Sequence, residues 1–241
     1  MTTIIQDGTS FMYAYTVATL ALVIIWGLVF FRSPQSRRAV LWTSLLLAPA
    51  GVISERWLIP DYWNPNYIVE IVVGKLHFGL EDFLFTFACA GIATSMFESS
   101  VQRHGFPQLP RVSKKRRILI WPFFGFWLIW FLVSVLDMKS MDAVLLGVIL
   151  IASLMLGSRP ELLRPVLPLV LVSGFLFWLF DLCFFVLLYP GAIEGMWNLQ
   201  NTWGIKLVGI PLEEIVWGME TMLFAGPVFR ASLSKQVPHP Y

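Results

Sequence analysis

Seven long runs of apolar residues, separated by short charged or turn-forming stretches, dominate this chain. A helix needs about 20 mostly apolar residues to cross a bilayer. The composition agrees, because 57% of the residues are hydrophobic and only 13% are charged, against about 25% charged in soluble domains. The runs therefore predict an all-α, polytopic membrane protein. The predicted spans are Phe11–Phe31, Ala39–Ser54, Leu76–Phe97, Ile118–Leu136, Met141–Gly157, Val166–Tyr189 and Gly209–Phe229.

The distribution of positive charge predicts the orientation in a cell membrane, because Lys and Arg concentrate on the cytoplasmic side. With the N-terminus outside and the C-terminus cytoplasmic, thirteen of the 17 Lys and Arg residues lie inside. The inner residues are Arg32, Arg37, Arg38, Arg103, Arg111, Lys114, Lys115, Arg116, Arg117, Arg159, Arg164, Arg230 and Lys235, and the outer ones are Arg56, Lys75, Lys139 and Lys206. The basic run from Lys114 to Arg117 is thus interpreted as a topology signal, and no nucleic-acid partner is expected.

Two pairs of adjacent acids open the third and the seventh predicted span. The first stretch reads Gly-Leu-Glu81-Asp82-Phe-Leu-Phe and the second reads Pro-Leu-Glu213-Glu214-Ile-Val-Trp. A charged side chain at the centre of a bilayer costs at least about 2.5–3.5 kcal/mol. Intramembrane acids in two matching places therefore indicate a functional site, although acids at a helix N-terminus also stabilise the helix dipole.

The segments before the two acid pairs match as well, which indicates an internal duplication. In each, a proline closes a helix and a Trp-Asn dipeptide follows, at Pro60 with Trp63-Asn64 and at Pro190 with Trp197-Asn198. Two three-helix repeats joined by one connecting helix run in the same direction, as in parallel transporter repeats. The predicted units are residues 1–100, the inner loop and connecting helix 101–137, and residues 138–241. Both acid pairs should then face one cavity.

The acid pairs have candidate partners in neighbouring helices. Adjacent residues of a helix point about 100° apart, so only one acid of each pair need face the cavity, and the other can bond a neighbouring helix or an outer-loop residue. A carboxyl group buried among apolar side chains favours its protonated form, which suits general acid catalysis. Aromatic faces attract cations. The further candidates are Glu55, Asp181 and Glu220 among the acids, and Phe85, Trp178 and Trp217 among the aromatic residues.

These motifs resemble those of the membrane-bound, flavin-independent lycopene cyclase family, whose repeated signature is Pro-x-Glu-Glu or Pro-x-Glu-Asp followed by aromatic residues. The stretch from Pro211 to Glu214 fits the signature, whereas Gly79 stands where the family usually has proline. The similarity covers about residues 54–100 and 187–230. Between these two segments the resemblance rests on the hydropathy pattern alone.

The resemblance implies a non-redox reaction that needs neither a metal nor a redox cofactor. An acid adds a proton to C2 of the terminal double bond of a linear carotenoid, the C5–C6 alkene attacks the C1 cation, and loss of a proton gives a β-ionone ring. The resemblance makes Glu213 or Glu214 in one repeat, and Glu81 or Asp82 in the other, the expected acid. Phe85, Trp217 and Trp178 would stabilise the cation. Expected partners are a carotenoid or another isoprenoid, membrane lipid and other enzymes of the carotenoid pathway.

Several alternatives share parts of this pattern. A microbial rhodopsin would carry a lysine deep in the seventh span, which Gly209–Phe229 lacks, and a flavin-dependent cyclase would carry a glycine-rich phosphate loop. A membrane prenyltransferase would need spaced aspartates for magnesium and diphosphate, but it shares isoprenoid substrates and remains an alternative. A carrier also remains open, either a proton-coupled transporter or a protein for lipophilic ligands, because intramembrane acids and parallel repeats suit transport equally.

Overall fold

The computed structural model describes residues 11–105 and 120–232. Seven long helices lie within these ranges, and each overlaps one of the seven predicted spans. They are α1 (Ala14–Arg32), α2 (Arg37–Leu58), α3 (Leu80–Arg103), α4 (Ile120–Ser134), α5 (Ser140–Ser158), α6 (Leu163–Asp181, continued by a π-helical segment Leu182–Leu188) and α8 (Leu212–Ala231). A short helix, α7 (Ala192–Met196), lies between α6 and α8.

Two small hairpins precede α3 and α8, and they correct the predicted starts of the third and seventh spans. Strand β1 (Ile71–Val73) pairs with β2 (Leu76–Phe78), and β3 (Lys206–Leu207) pairs with β4 (Ile210–Pro211), both antiparallel. Two-residue turns with positive φ angles, +65° at Gly74 and +88° at Gly209, close the hairpins and match the twist of paired strands. The helices therefore begin only at Leu80 and Leu212, directly before the acid pairs.

Four of the helices are long and apolar enough to cross a membrane: α1, α3, α5, and α6 together with the segments that flank it. Helix α4 is apolar but shorter over its described length. Helices α2 and α8 have 22 and 20 residues, but each contains four charged residues, which lower its hydropathy. The chain is thus an all-α membrane protein, and the exact number of seven spans stays a prediction.

Helices α3 and α8 show that the two repeats run in the same direction. Near their N-termini the rings of Phe85 and Trp217 lie 6.0 Å apart. Near their C-termini Arg230 forms a buried ion pair with Glu98, with both nitrogen–oxygen distances 2.8 Å. Phe85 and Trp217 occupy the same position relative to their acid pairs, and so do Glu98 and Arg230. Equivalent residues therefore meet at both ends of two parallel helices.

The two Trp-Asn segments also meet, and their arrangement defines a pseudo-twofold axis. Trp63 and Trp197 form an antiparallel bridge, in which the amides of Asn64 and Asn198 each donate to a carbonyl of the opposite segment, at 2.6 and 2.8 Å. A twofold rotation about an axis along the helices keeps helices parallel but reverses segments that run across the axis. The internal duplication of the sequence is thus a symmetry of the fold. The exact limits of the three units stay a prediction.

The basic residues of the described ranges lie at the two ends of the helices. We call the end that carries the two hairpins the hairpin end. Arg56, Lys139 and Lys206 lie at the hairpin end, whereas Arg32, Arg103, Arg159 and Arg230 lie at the ends of α1, α3, α5 and α8 opposite to it. The basic stretch from Arg111 to Arg117, and Lys235, lie outside the described residues. Which end faces the cytoplasm stays a prediction.

Candidate active site

A cavity of about 240 Å³ lies between the two repeats, towards the hairpin end. Residues of α1, α2, α3, α5, α8 and the end of α6 line it, together with the Trp63 and Trp197 segments. The connecting helix α4 closes one side with Gly125, Phe126 and Ile129. Most of the wall is hydrocarbon or aromatic, which suits an apolar ligand.

Five carboxyl groups face this cavity from four helices and thus contrast with its apolar wall. They are Glu55 of α2, Asp82 of α3, Asp181 of α6, and Glu214 and Glu220 of α8. Among the described residues that line the cavity there is no Lys, Arg or His. A cationic intermediate in this space would therefore face negative or neutral groups and aromatic rings.

The two acids of the first pair have different surroundings. Glu81 does not line the cavity; its Oε1 accepts hydrogen bonds from Thr16 Oγ1 (2.8 Å) and from the backbone amide of Ile68 (3.1 Å). Asp82 does line the cavity, while its Oδ2 accepts from the Gly79 amide (2.8 Å). The first acid thus holds the segment before the hairpin, and the second acid caps α3 and faces inward.

The second pair shows the same division. Glu213 is 1% exposed and does not line the cavity; its Oε1 accepts a short hydrogen bond from the backbone amide of Trp203. Glu214 lines the cavity. Consecutive helical residues point about 100° apart, so one acid of a pair can face inward while the other points to a neighbouring segment. Of the four motif acids, the structure therefore brings Asp82 and Glu214 together in the cavity.

Aromatic hydroxyl and indole groups bind the two cavity-facing motif acids. Tyr15 donates its hydroxyl proton to Asp82 Oδ1 at 2.9 Å. Glu214 Oε1 accepts from the Tyr62 hydroxyl at 2.9 Å and from Trp197 Nε1 at 2.7 Å. Burial and the nearby Glu214 raise the pKa of the Tyr62 hydroxyl in its loop, so this group keeps its proton and acts as a donor. Donors of this kind stabilise a carboxylate.

The equivalent tryptophans of the two repeats bind acids from different helices. Trp197 binds Glu214 of α8, whereas Trp63 Nε1 donates to Glu55 Oε2 of α2 at 2.8 Å. Sequence reasoning used the Trp-Asn dipeptides only as a mark of the duplication and did not assign them as partners of the acids. The repetition of the Trp-Asn dipeptides in both halves was the sequence feature that could have indicated a role in the site.

Two other cavity acids lack such donors among the described residues. Glu220 is 4% exposed and neither carboxyl oxygen has a hydrogen-bond partner. Asp181 is 2% exposed and its Oδ2 has none. Buried carboxyl groups without donors are unfavourable when charged. The cavity thus contains two kinds of acid, those held by donors and those without them.

Aromatic rings enclose the space beside the acids. Phe85 and Trp217 line the cavity, and the Trp217 ring lies 5.0 Å from that of Phe177. Trp178 is not among the lining residues; its indole donates to the Leu207 carbonyl in the second hairpin at 3.1 Å. The structure therefore places Phe85 and Trp217, but not Trp178, where they could contact a ligand in the cavity.

The fold and the site together define a class: a duplicated all-α membrane protein with an aromatic cavity lined by acids between its repeats. A sequence model described as lycopene cyclase matches the chain over residues 9–99 and 139–231, once for each repeat. The chain belongs to the lycopene cyclase family. Membership assigns it to carotenoid cyclisation in general and implies an enzyme with a carotenoid substrate. No curated protein and no solved structure shows significant similarity to it.

Proposed function

We propose that this enzyme closes the end group of a linear carotenoid, such as lycopene, to a β-ionone ring by acid catalysis without net redox change. The observation that carries the proposal is the group of five carboxyl groups around one aromatic cavity. Proton transfer is the chemistry that buried carboxyl groups supply, and cation stabilisation is what aromatic faces supply.

The size of the cavity supports reaction at one end of the substrate at a time. Sites for whole drug-sized ligands occupy about 300–1,000 Å³, whereas this cavity measures about 240 Å³. It has room for an end group, while the long polyene would extend out of it. The exposed aromatic and aliphatic surfaces of the helices suit such a chain in the lipid.

The proposed reaction keeps atoms and charge balanced. A proton from a carboxyl group of the site forms the C2–H bond and leaves a tertiary cation at C1. The C5–C6 alkene then forms the C1–C6 bond, which moves the positive charge to C5. A carboxylate takes the proton from C6 and the C5–C6 double bond re-forms. We assign a part in proton transfer to the cavity-facing motif acids Asp82 and Glu214, and contact with the cation to Phe85 and Trp217.

The motif acids that face away from the cavity have a positioning role in this proposal. Glu81 and Glu213 hold the backbone of the segments before α3 and α8 through the amides of Ile68 and Trp203. They fix the direction in which Asp82 and Glu214 point. We also propose the orientation given by the charges, with the hairpin end outside and the opposite end cytoplasmic.

The test is expression in a host that accumulates lycopene. The pigment should shift from red towards orange-yellow as monocyclic or dicyclic product forms, in membranes that receive no added flavin or metal. Chromatography of the extracted pigments identifies the ring type. Unchanged lycopene, with the protein confirmed in the membrane, would contradict cyclisation of lycopene and favour a carrier or another isoprenoid enzyme.

A further inference from the structure

Glu220 is an acid in the cavity that stands outside both motif pairs. It lies six residues after Glu214 on α8, which places its Cα about 9 Å further along the helix at 1.5 Å per residue. Its side chain lines the cavity and is 4% exposed. An ionisable residue inside a membrane helix is costly and marks function by default.

The surroundings of Glu220 differ from those of the motif acids. Asp82 accepts hydrogen bonds from the Tyr15 hydroxyl and the Gly79 amide, and Glu214 accepts two as well. Neither oxygen of Glu220 accepts any from the described residues. Donors favour a carboxylate, whereas a dry, donor-free site favours the neutral acid. The hydrogen-bond geometry thus favours a neutral, proton-bearing Glu220 and proton-accepting carboxylates at Asp82 and Glu214.

We propose that Glu220 is the acid that starts the reaction and that a motif carboxylate, Glu214 or Asp82, ends it. Glu220 gives its proton to C2, and the C1–C6 bond forms. The motif carboxylate then removes the C6 proton and becomes neutral. This proton returns to the Glu220 carboxylate before the next turnover, so no co-reactant is consumed. The inference rests on the proposed function and assigns the proton donor within it.

Asp181 is the other acid that must be compared with Glu220. It also lines the cavity, and its Oδ2 is likewise buried without a hydrogen-bond partner among the described residues. It lies where α6 passes into its π-helical continuation, whereas Glu220 lies in the interior of α8. Both carboxyl oxygens of Glu220 are buried without a partner among the described residues, whereas this holds for one oxygen of Asp181, so we assign the donor to Glu220.

The first experiment compares wild type with Glu220→Gln, Glu220→Asp and Asp181→Asn in membranes that contain lycopene. We expect Glu220→Gln to fold and to lose turnover about 10²–10⁴-fold, the usual contribution of a general acid, while Glu220→Asp keeps part of it. Exposed Glu70, directly before the first hairpin, supplies the matched control, Glu70→Gln, which should retain wild-type turnover. Full turnover of Glu220→Gln, or a loss confined to Asp181→Asn, would overturn the assignment.

A second experiment separates a proton donor from a structural residue. Glu220→Ala removes the carboxyl group and leaves room for a small one. Added acetic acid should restore part of the turnover, and more as the pH falls, because the neutral acid is the reagent that is missing. No restoration at any pH, or restoration that grows as the pH rises, would contradict the role of donor. If wild type itself formed no cyclic product, the proposed function would fail first, and this inference with it.

Discussion

The substitution Glu214→Gln should distinguish a role of this residue in catalysis from a role in the structure. The amide that replaces the carboxyl group has nearly the same shape, and its oxygen can still accept from the Tyr62 hydroxyl and from Trp197 Nε1, which lie 2.9 and 2.7 Å from Glu214 Oε1. What is lost is a group that can exchange a proton with the substrate. General acid–base catalysis contributes about 10²–10⁴-fold, or about 2.7–5.4 kcal/mol of activation free energy at about 1.36 kcal/mol per tenfold.

The matched control is the neighbouring acid, Glu213→Gln. Glu213 faces away from the cavity, and its amide replacement can still accept from the Trp203 backbone. We therefore expect turnover close to that of wild type. The corresponding pair in the first repeat, Asp82→Asn against Glu81→Gln, should show the same contrast. The second repeat should show the larger loss, because it keeps the proline of the family signature at Pro211.

The assay is the initial rate of cyclic product formation in isolated membranes, divided by the amount of folded enzyme. That division matters, because hydrogen bonds to a charged acceptor contribute about 1.5–3 kcal/mol and those to a neutral one about 0.5–1.5 kcal/mol. Glu214→Gln can thus lower stability as well as rate. Wild-type turnover of the double variant Glu213→Gln, Glu214→Gln would refute the claim that this pair takes part in proton transfer.

Three further predictions concern the partners of the site and the architecture. Trp197→Phe removes one donor to Glu214 and should cost more turnover than Trp63→Phe, which removes the donor to Glu55; equal rates in the same membrane assay would contradict this. Arg230→Met leaves Glu98 buried without its partner and should lower the unfolding free energy in detergent by about 3–5 kcal/mol, while Arg230→Met with Glu98→Met should recover most of the loss; an unchanged melting temperature of the single variant would count against it. In a cysteine-free background, an impermeant thiol reagent added outside intact cells should label Lys75→Cys but not Gln102→Cys, and the reverse pattern would invert the proposed orientation.

The sequence by itself determined the helical membrane architecture and the duplication. Seven apolar runs correspond to seven long helices within the described residues, because a backbone in lipid must satisfy its hydrogen bonds within each helix. The repeated acid pairs and Trp-Asn dipeptides were sufficient for the resemblance to the lycopene cyclase family. The same pattern did not reveal the two hairpins, because apolar strands next to an apolar helix have no distinct hydropathy signal.

Only the tertiary structure decided which acid of each pair faces the cavity. Sequence spacing allows the two acids of a pair to face different surroundings, but it does not state which helix or loop each one meets. That choice depends on how α1, the loops and the other repeat pack around α3 and α8, which supplies Thr16 and Ile68 to Glu81 but Tyr15 to Asp82. The donor-free position of Glu220 is likewise a property of packing, because the side chains that surround a carboxyl group in the folded protein decide whether it finds a hydrogen-bond donor.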